Sequence, residues 1–424
     1  MEKEFLKQTQ RTVTLNVTAG RIDSFRELEK TTGTVRVYKD GCIGVAGCLG
    51  EPDEKDLTAK AEEALAFGIP YPCELEGPIG KDGKARCASC AADADGEAGL
   101  EELHEEEIIK VPDLIPTMQS FLDRLGEQCP RFAFSNKIKL EYDRSEYRNS
   151  KGRRLVSSGR VFSLELIAQN RGSGNLFDTF MLWAGNRFDA DEALALFKKE
   201  YDAFYTPADL EPGRYPVVCD AGQMFSSFFQ HFIADLYVAG ASLLSGKLGQ
   251  KVFSDKLTFR SDMNPSSAYS SCFFDAEGCV APDYRPTLIE NGVLKGLLTT
   301  KKTAGQYGLP NLGTASASYD GVPSIGFNRF WVDPTAKSLK ELVPGKAVYV
   351  VVASGGDTTP DGHFATPVQM AYLMEGGKLV GRLPQLNISG NFFDMLGQDY
   401  IGAVHGDPQE ISINAAVIMD VQKA

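Results

Sequence analysis

The apolar stretch FSSFFQHFIADLYVAGASLLSG, from Phe225 to Gly246, contains the side chains whose types and spacing most directly suggest chemistry. It holds His231, one of four histidines in the chain, and Asp235 lies four residues later. Side chains four residues apart share one face of an α-helix, and imidazole and carboxylate groups are common zinc ligands. The sequence therefore raises the question of whether this stretch is a metal-binding helix.

Two further motifs could carry chemistry, but neither has the context that its chemistry requires. Cys87 and Cys90 have the spacing of half a zinc site or of a redox pair, yet no second cysteine pair and no βαβ pattern accompany them. The stretch from Gly240 to Lys247 is one residue too long for a phosphate-binding loop and follows a predicted helix rather than a strand. We expect a free thiol pair and no nucleotide site.

Composition excludes several classes of protein. With 57 acidic and 44 basic residues the net charge is −13, which disfavours direct binding of nucleic acid. No segment approaches the roughly 20 apolar residues of a membrane-spanning helix, and the first residues lack a signal-peptide core. The nine scattered cysteines do not form a secreted disulfide framework. We expect a cytoplasmic protein with reduced cysteines and no membrane association.

The elements that would position these residues predict an α+β fold in three units. Residues 1–110 read as a strand meander, with turns at Ala19-Gly20, Thr32-Gly33 and Asp40-Gly41, followed by an amphipathic helix and an acidic linker at 74–107. Residues 111–212 read as a helix capped by Asp113, two strands, and a second helix opened by Asp189. Together they predict an N-terminal α+β half.

Residues 213–424 form the third predicted unit, a large β-rich C-terminal domain. Its first element is a predicted helix over 222–246, and short strands separated by glycine turns follow it. The segment YVVVASGG, from Tyr349 to Gly356, is expected to offer a strand edge that can pair with an extended peptide.

Several segments of this third unit together resemble the TldD/PmbA family, also described as modulators of DNA gyrase. The matching segments, in chain order, are Leu244-Ser245-Gly246, FFDAEG (273–278), LIENGVLKG (288–296), GHF (362–364), AYLMEGGKL (371–379) and ISGNFFDML (388–396). GRIDSFRELEKTTGTVRVYKDGCIGVA (20–46) and the turn at 149–152 also fit. The resemblance covers most of the chain apart from the acidic segment.

The resemblance implies a cytosolic two-subunit assembly. A TldD-type chain carries zinc on a His-Glu-x-x-x-His helix and cleaves small or unfolded peptides, whereas a TldE/PmbA-type chain lacks the metal site. Counting back from Leu244 places Phe225, Ser226 and Gln230 at the three motif positions. None of these side chains can replace an imidazole ligand or the carboxylate that takes a proton from metal-bound water.

A remodelled site is the alternative that the resemblance leaves open. The zinc-carrying branch has a further cysteine ligand in a glycine-flanked segment, and the corresponding stretch here is GAVHG, which contains His405. His231, Asp235 and His405 are therefore candidate site residues. In the simpler interpretation, which we prefer, His231 and Asp235 form a local pair on a buried helix and His405 is a surface loop residue.

The sequence thus favours a non-catalytic TldE/PmbA-like component of a metallopeptidase system, with no cofactor of its own. Zinc is expected only if the remodelled site exists. The expected partners are a TldD-like zinc peptidase subunit, or a second copy of this chain, together with small or unfolded peptides. The alternatives are a self-sufficient metallopeptidase and a stand-alone homodimer that binds peptides without cutting them.

The purified protein is predicted to carry no stoichiometric zinc, because Phe225, Ser226 and Gln230 stand where two ligands and a base would be needed. Elemental analysis measures the zinc content directly. About one zinc per chain, lost in His231→Ala or His405→Ala, would contradict the non-catalytic interpretation.

Overall fold

The computed structural model describes residues 1–79, 108–175, 178–265, 267, 272–406 and 413–424. Of the predicted linker 74–107, only residues 74–79 fall within this range, and Cys87 and Cys90 lie outside it. The described helices are α1 Glu54–Ala64, α2 Val111–Gln128, α3 Ala190–Phe204, α4 Ala221–Ser226, α5 Ala234–Val238, α6 Lys301–Tyr307, α7 Leu339–Leu342 and α8 Phe392–Leu396, with 3₁₀ turns at Leu65–Phe67, Phe229–Phe232 and Pro282–Tyr284.

The N-terminal half is built on an antiparallel sheet of seven strands in the order β4-β3-β2-β1-β5-β6-β7. These strands are β1 Glu2–Thr18, β2 Arg21–Lys39, β3 Cys42–Leu49, β4 Ile69–Pro70, β5 Phe132–Asn149, β6 Arg154–Asn170 and β7 Thr179–Gly185. Successive side chains of a strand point to opposite faces. Val13, Leu15 and Val17 are buried with apolar residues of α2 and α3, so the even-numbered residues of β1 face the other way.

The C-terminal half contains a closed barrel, because β15 pairs with both β8 and β17 in the strand order β15-β8-β21-β19-β17. The strands of this half are β8 Gly213–Asp220, β9 Phe259–Ser261, β10 Thr287–Glu290, β11 Val293–Leu294, β12 Ala315–Ser316, β13 Ser324–Ile325, β14 Phe330–Val332, β15 Lys346–Ala353, β16 Asp357–Thr358, β17 His363–Glu375, β18 Lys378–Arg382, β19 Leu386–Asn391, β20 Tyr400–His405 and β21 Ile413–Lys423. The predicted α+β class with a β-rich C-terminal half is confirmed.

The predicted helix over 222–246 is wrong, because the backbone is interrupted twice. Phe228 has φ −109° and ψ 0°, and Ile233 is extended with φ −72° and ψ 123°. The Ala234 N–H donates to the Leu298 carbonyl (3.1 Å), and the Leu298 N–H donates to the Phe232 carbonyl (2.8 Å). These bonds to a distant segment replace the bonds of a continuous helix.

Three smaller predictions also differ from the structure. Strand β2 runs through Thr32-Gly33 without a turn, and a Cβ on Gly33 would lie 2.3 Å from the Cβ of Pro52. This glycine therefore serves close packing rather than chain reversal. Asp113 lies inside the first turn of α2 and does not cap it, since Lys110 is the N-cap residue. Strand β15 pairs with β17 from Lys346 to Ala353 but with β8 only at Val348 and Tyr349, so the expected edge at YVVVASGG is occupied on both sides at Tyr349 and on one side from there to Ala353 among the described residues.

Apolar side chains form two large cores, and one of them crosses between the halves. That core lies between the seven-stranded sheet and helices α2 and α3 and includes Met370 and Tyr372 of β17, whereas the other fills the barrel and the short helices around it. Among the described residues, no helix is both long and apolar enough to span a bilayer. The three-unit division of the chain stays a prediction.

Glu200 on α3 has a buried carboxyl group at the contact between the two halves. Helix α3 packs against β18, and the Tyr372 hydroxyl of β17 donates to the Glu200 carbonyl (3.2 Å). The carboxylate Oε2 is buried without a hydrogen-bond partner among the described residues. Burial raises the pKa of Glu200 from its ordinary 4.5 to about 7. Folding therefore favours the protonated carboxyl, and this stabilisation is lost as the pH rises through about 7.

Glu200→Gln is predicted to raise the free energy of unfolding by about 1–3 kcal/mol at about pH 8 and to change it little at about pH 5, because the amide stays neutral at both values. Thermal unfolding at the two pH values measures this difference. Glu62→Gln, at an exposed position of α1, is the control. Equal effects of Glu200→Gln at both pH values would contradict the prediction.

Candidate functional site

Phe225, Ser226 and Gln230 are not part of the group of metal-ligand side chains found among the described residues. The Phe225 ring is fully buried and stacks on Phe259, with 4.6 Å between ring centroids and 13° between planes. Ser226 is exposed at the end of α4, and its hydroxyl donates to the Gln223 carbonyl (3.0 Å). Gln230 is exposed on the 3₁₀ turn that follows. The residues present therefore do not fit a zinc ion at these positions.

His231 is buried and holds the next turn of the chain in place. Its Nδ1 accepts the Leu243 N–H (3.3 Å), and its carbonyl accepts the Ser242 hydroxyl (2.6 Å). Because Nδ1 acts as an acceptor, the neutral ring carries its proton on Nε2, which has no partner among the described residues. Burial lowers the pKa of His231 and keeps the ring neutral.

Asp235 and His405, the other two candidates, have separate partners. Asp235 is exposed on α5 and accepts the Tyr307 hydroxyl (2.7 Å). The His405 Nε2 lies 3.0 Å from the Val332 carbonyl, and its ring packs edge-on against Trp331 at 4.5 Å between centroids. Within the part of the chain that the structure describes, His231, Asp235 and His405 do not form a group of metal ligands.

A buried polar cluster that sequence reasoning did not identify as a site lies in the loop DAEGC, residues 275–279. Asp275 accepts the N–H groups of Glu277 and Cys279 on Oδ1 (both 2.9 Å) and that of Ala315 on Oδ2 (3.0 Å). Gly278 has φ +68°, and a Cβ there would lie 2.2 Å from the Tyr147 ring. The loop therefore needs an acceptor at its first residue and glycine at its fourth.

Glu277 is the second carboxylate of this cluster. It accepts the Tyr71 hydroxyl on Oε1 (2.7 Å) and the Lys301 N–H on Oε2 (2.8 Å). The Lys301 ammonium donates to the Glu277 carbonyl (2.7 Å). Burial, reinforced by the negative charge of Asp275, raises the pKa of Glu277 to about 7. A carboxyl of this kind is partly protonated at neutral pH.

The N-terminal sheet supplies charged side chains that face the 275–279 loop. Arg36 and Glu4 form an ion pair (2.8 Å) in which both side chains are almost fully buried. The Arg36 guanidinium also donates to the Ala276 carbonyl (2.6 Å), and the Tyr147 hydroxyl donates to Glu4 (2.8 Å). Through these bonds, strands β1, β2 and β5 hold the 275–279 loop of the C-terminal half.

Asp275, Glu277 and Cys279 are the one group of three metal-ligand types found among the described residues, with ligand atoms within 4.8 Å of one another. Their bonding argues against a cation. Each carboxylate oxygen already accepts a hydrogen bond from a backbone N–H group or from the Tyr71 hydroxyl. Lys301 adds a positive charge beside them. We call this cluster, residues 275–279 with their bonding partners, the joint, because it bonds the two halves to each other.

Two cavities lie on the same face of the N-terminal sheet as this joint and share Gln8 and Cys272 in their linings. The larger, of about 290 Å³, is polar and includes Lys30 and Asp143. The smaller, of about 170 Å³, includes apolar side chains such as Phe327. The two cavities therefore have linings of mixed polarity.

Comparison with known proteins identifies relatives of this chain. Residues 212–416 match the family model described as the PmbA/TldA metallopeptidase C-terminal domain. A zinc metalloprotease TldD homolog of Saccharolobus solfataricus is 28% identical over 279 residues, which are 62% of each chain and so less than two thirds of that relative. A metalloprotease of Archaeoglobus fulgidus is 26% identical over 387 residues, 84% of this chain and 87% of the relative.

Solved structures share the fold over the whole chain. TldE from Thermococcus kodakarensis superimposes with a TM-score of 0.78 at 18% identity, covering 100% of this chain and 96% of that one. A proposed modulator of DNA gyrase from Thermotoga maritima gives a TM-score of 0.75 at 20% identity, covering 99% and 96%. At these identities the likeness establishes the architecture alone.

Asp275→Ala is predicted to lower the free energy of unfolding by about 3–5 kcal/mol, because three buried N–H groups lose their acceptor. Asp320→Ala, at an exposed position, should change it by less than about 0.5 kcal/mol. Urea unfolding measures both variants. If a chelator destabilised the unaltered protein as much as Asp275→Ala does, the cluster would be a metal site instead of a joint.

Proposed function

Because this chain belongs to the TldD/PmbA family, we propose that it is a TldE/PmbA-like, non-catalytic component of a cytoplasmic metallopeptidase system that degrades small or unfolded peptides. One observation carries the non-catalytic part of this proposal. The Phe225 ring, at the first position of the expected zinc motif, is packed into the apolar core against Phe259. A core phenyl ring leaves neither room nor a ligand for the metal.

The carboxylate required for proton transfer is missing as well. Ser226 stands at the motif's glutamate position, and its hydroxyl is engaged with the backbone of its own helix. The remodelled alternative has weaker support, because Asp235 and His405 are bonded to other groups and His231 presents a protonated nitrogen where a ligand would need a lone pair. In this proposal the chain has no zinc of its own.

The proposed partner is a TldD-like subunit that bears the intact zinc helix, and the large C-terminal half is the proposed contact region. A cavity closed between two chains admits unfolded peptides and excludes folded proteins. The mixed cavities beside the N-terminal sheet support a part in holding such peptides.

The chain alone is predicted not to cleave an unstructured peptide, whereas its mixture with a TldD-type partner should cleave it with a rate at least about tenfold above that of either protein alone. Mass spectrometry of the products measures this cleavage. A partner whose motif glutamate is replaced by glutamine is the control and should be inactive in the mixture. Cleavage by this chain alone that persists with a chelator and in Ser226→Ala would contradict the proposal.

A further inference from the structure

Part of strand β2 has an open edge. Strand β3 pairs with β2 only from Thr32 to Lys39, whereas β1 pairs along the whole strand. Over residues 21–31, β2 therefore has a strand neighbour on one side only within the described part of the chain. Residues 23–30 are exposed on both faces of the sheet, and the apolar side chains of Phe25 and Leu28 are 42% and 48% exposed.

One hydrogen bond shows which backbone groups of β2 point toward the open edge. The Gly50 N–H donates to the Thr31 carbonyl (2.8 Å) from the side where β3 lies. Groups that point to one side recur every second residue of a strand. Phe25, Glu27 and Glu29 therefore direct their N–H and C=O groups outward. The run ends at the bulge beside Asp23, beyond which the Ile22 N–H donates to Gln119 (3.0 Å).

The side chains along this edge separate by charge. Glu27 and Glu29 lie on the same face as Phe25, where Glu27 already accepts the Arg11 Nε–H of β1 (2.6 Å). Arg26 and Lys30 lie with Leu28 on the face that carries the larger cavity. A strand added to this edge would place its alternate side chains beside acidic and basic groups in turn. Cross-strand pairs of opposite charge stabilise a sheet, and like charges destabilise it.

A second copy of the chain is a poor occupant of this edge. Two identical strands related by a two-fold axis pair residues of the same face, so a register centred on residue 26, 27, 29 or 30 places two like charges opposite each other. In a register centred on Leu28, Glu27 of one copy lies opposite Glu29 of the other, and Arg26 lies opposite Lys30. In a register centred on Phe25, Glu27 lies opposite Asp23, so like charges meet in both cases. In addition, only three residues of β2 direct backbone hydrogen-bonding groups outward, and the area that they would bury is far smaller than the interface of a stable dimer.

We propose that the β2 edge from Phe25 to Glu29 binds an extended peptide segment whose side chains alternate between basic and acidic. The peptide adds to the N-terminal sheet as a further strand, with its acidic side chains toward Arg26 and Lys30 and its basic side chains toward Glu27 and Glu29. The binding rests on the proposed function, since unfolded peptides are what such a subunit would hold. Main-chain hydrogen bonds provide the affinity, and the charge pattern provides the preference.

The test is fluorescence polarisation of a labelled octapeptide of alternating lysine and glutamate against the whole chain. Glu27→Pro removes one outward N–H but keeps the pairing of β2 with β1, as proline does when its nitrogen faces an open edge. We expect Glu27→Pro to weaken binding at least tenfold and the matched control Glu27→Ala to weaken it less than threefold. A peptide of four lysines followed by four glutamates should bind at least fivefold more weakly.

Hydrogen–deuterium exchange locates the bound peptide. Exchange at the amides of Phe25, Glu27 and Glu29 should slow when the alternating peptide is added. Equal binding by Glu27→Pro and Glu27→Ala, or protection of these amides before any peptide is added, would overturn the proposal. Unchanged thermal unfolding of Glu27→Pro excludes misfolding as the cause of lost binding, and Arg26→Glu, which alters charge alone, supplies a second variant that should also bind more weakly.

The outcome is separable from that of the proposed function. If the mixture with a TldD-type partner cleaves peptide while Glu27→Pro binds the alternating peptide as tightly as Glu27→Ala does, the subunit assignment stands and the edge proposal fails. If this chain alone cleaves the peptide, the non-catalytic assignment fails whatever the β2 edge binds.

Discussion

The buried ion pair between Glu4 and Arg36 is the interaction on which the arrangement of the two halves depends. Both side chains are removed from water, and such charges are tolerated only when they are paired and hydrogen-bonded. Through Nη1, Arg36 also donates to the carbonyl of Ala276, a residue of the other half, while its Nε and Nη2 are buried without a partner among the described residues. Separating the halves would break this bond and uncover the 275–279 loop. The two halves are held by specific polar bonds as well as by apolar contact.

This constraint explains why one face of the N-terminal sheet is divided between different roles. At the start of β1, Glu4 pairs with Arg36, which donates to the Ala276 carbonyl, and Leu6 packs with Phe273 and Phe274. Gln8, further along the same face, lines both cavities. Beyond the cavities, residues 23–30 of β2 are exposed on both faces of the sheet. The same face therefore carries the contact with the 275–279 loop first and the two cavities next. The open edge of β2 begins where the pairing of β3 with β2 ends, at Thr32.

The sequence predicted those features that depend on local pattern. Alternating apolar residues marked the strands of the N-terminal half, and Asp189 correctly marked the start of α3, whose first N–H groups it accepts. The predicted helix over 222–246 failed because its interruption depends on Leu298, about seventy residues away, and an apolar run does not record such a partner. The expected edge at YVVVASGG is shorter than predicted for the same reason, since β17 pairs along one side of it and β8 reaches Tyr349 on the other.

The candidate site shows a related limit. The segment FFDAEG contributed to the family resemblance. Its local sequence did not show that Asp275 accepts hydrogen bonds from its own loop, whereas Glu277 accepts one from Tyr71, about two hundred residues earlier. An Asp-x-Glu-x-Cys alternation within an apolar segment was the available signal, because carboxylates are rarely buried without specific partners. From the sequence, this alternation is compatible with a metal site and with a polar contact between the two halves. Only the count of hydrogen bonds on each oxygen distinguishes the two.

The packing of Phe225 bears on whether zinc chemistry could be restored by changing the three motif positions alone. Phe225 lies among aromatic side chains, stacked on Phe259, which itself stacks on Phe330. A histidine there would place a polar imidazole in an apolar cluster, and a buried ring N–H without an acceptor costs about 1–3 kcal/mol before any metal binds. The backbone adds a second obstacle, because Phe225 is in α4 and Gln230 is in a separate 3₁₀ turn. Two ligands five residues apart across that break do not have the relative orientation that one α-helix would give them, so the local backbone and the aromatic core together oppose a metal site here.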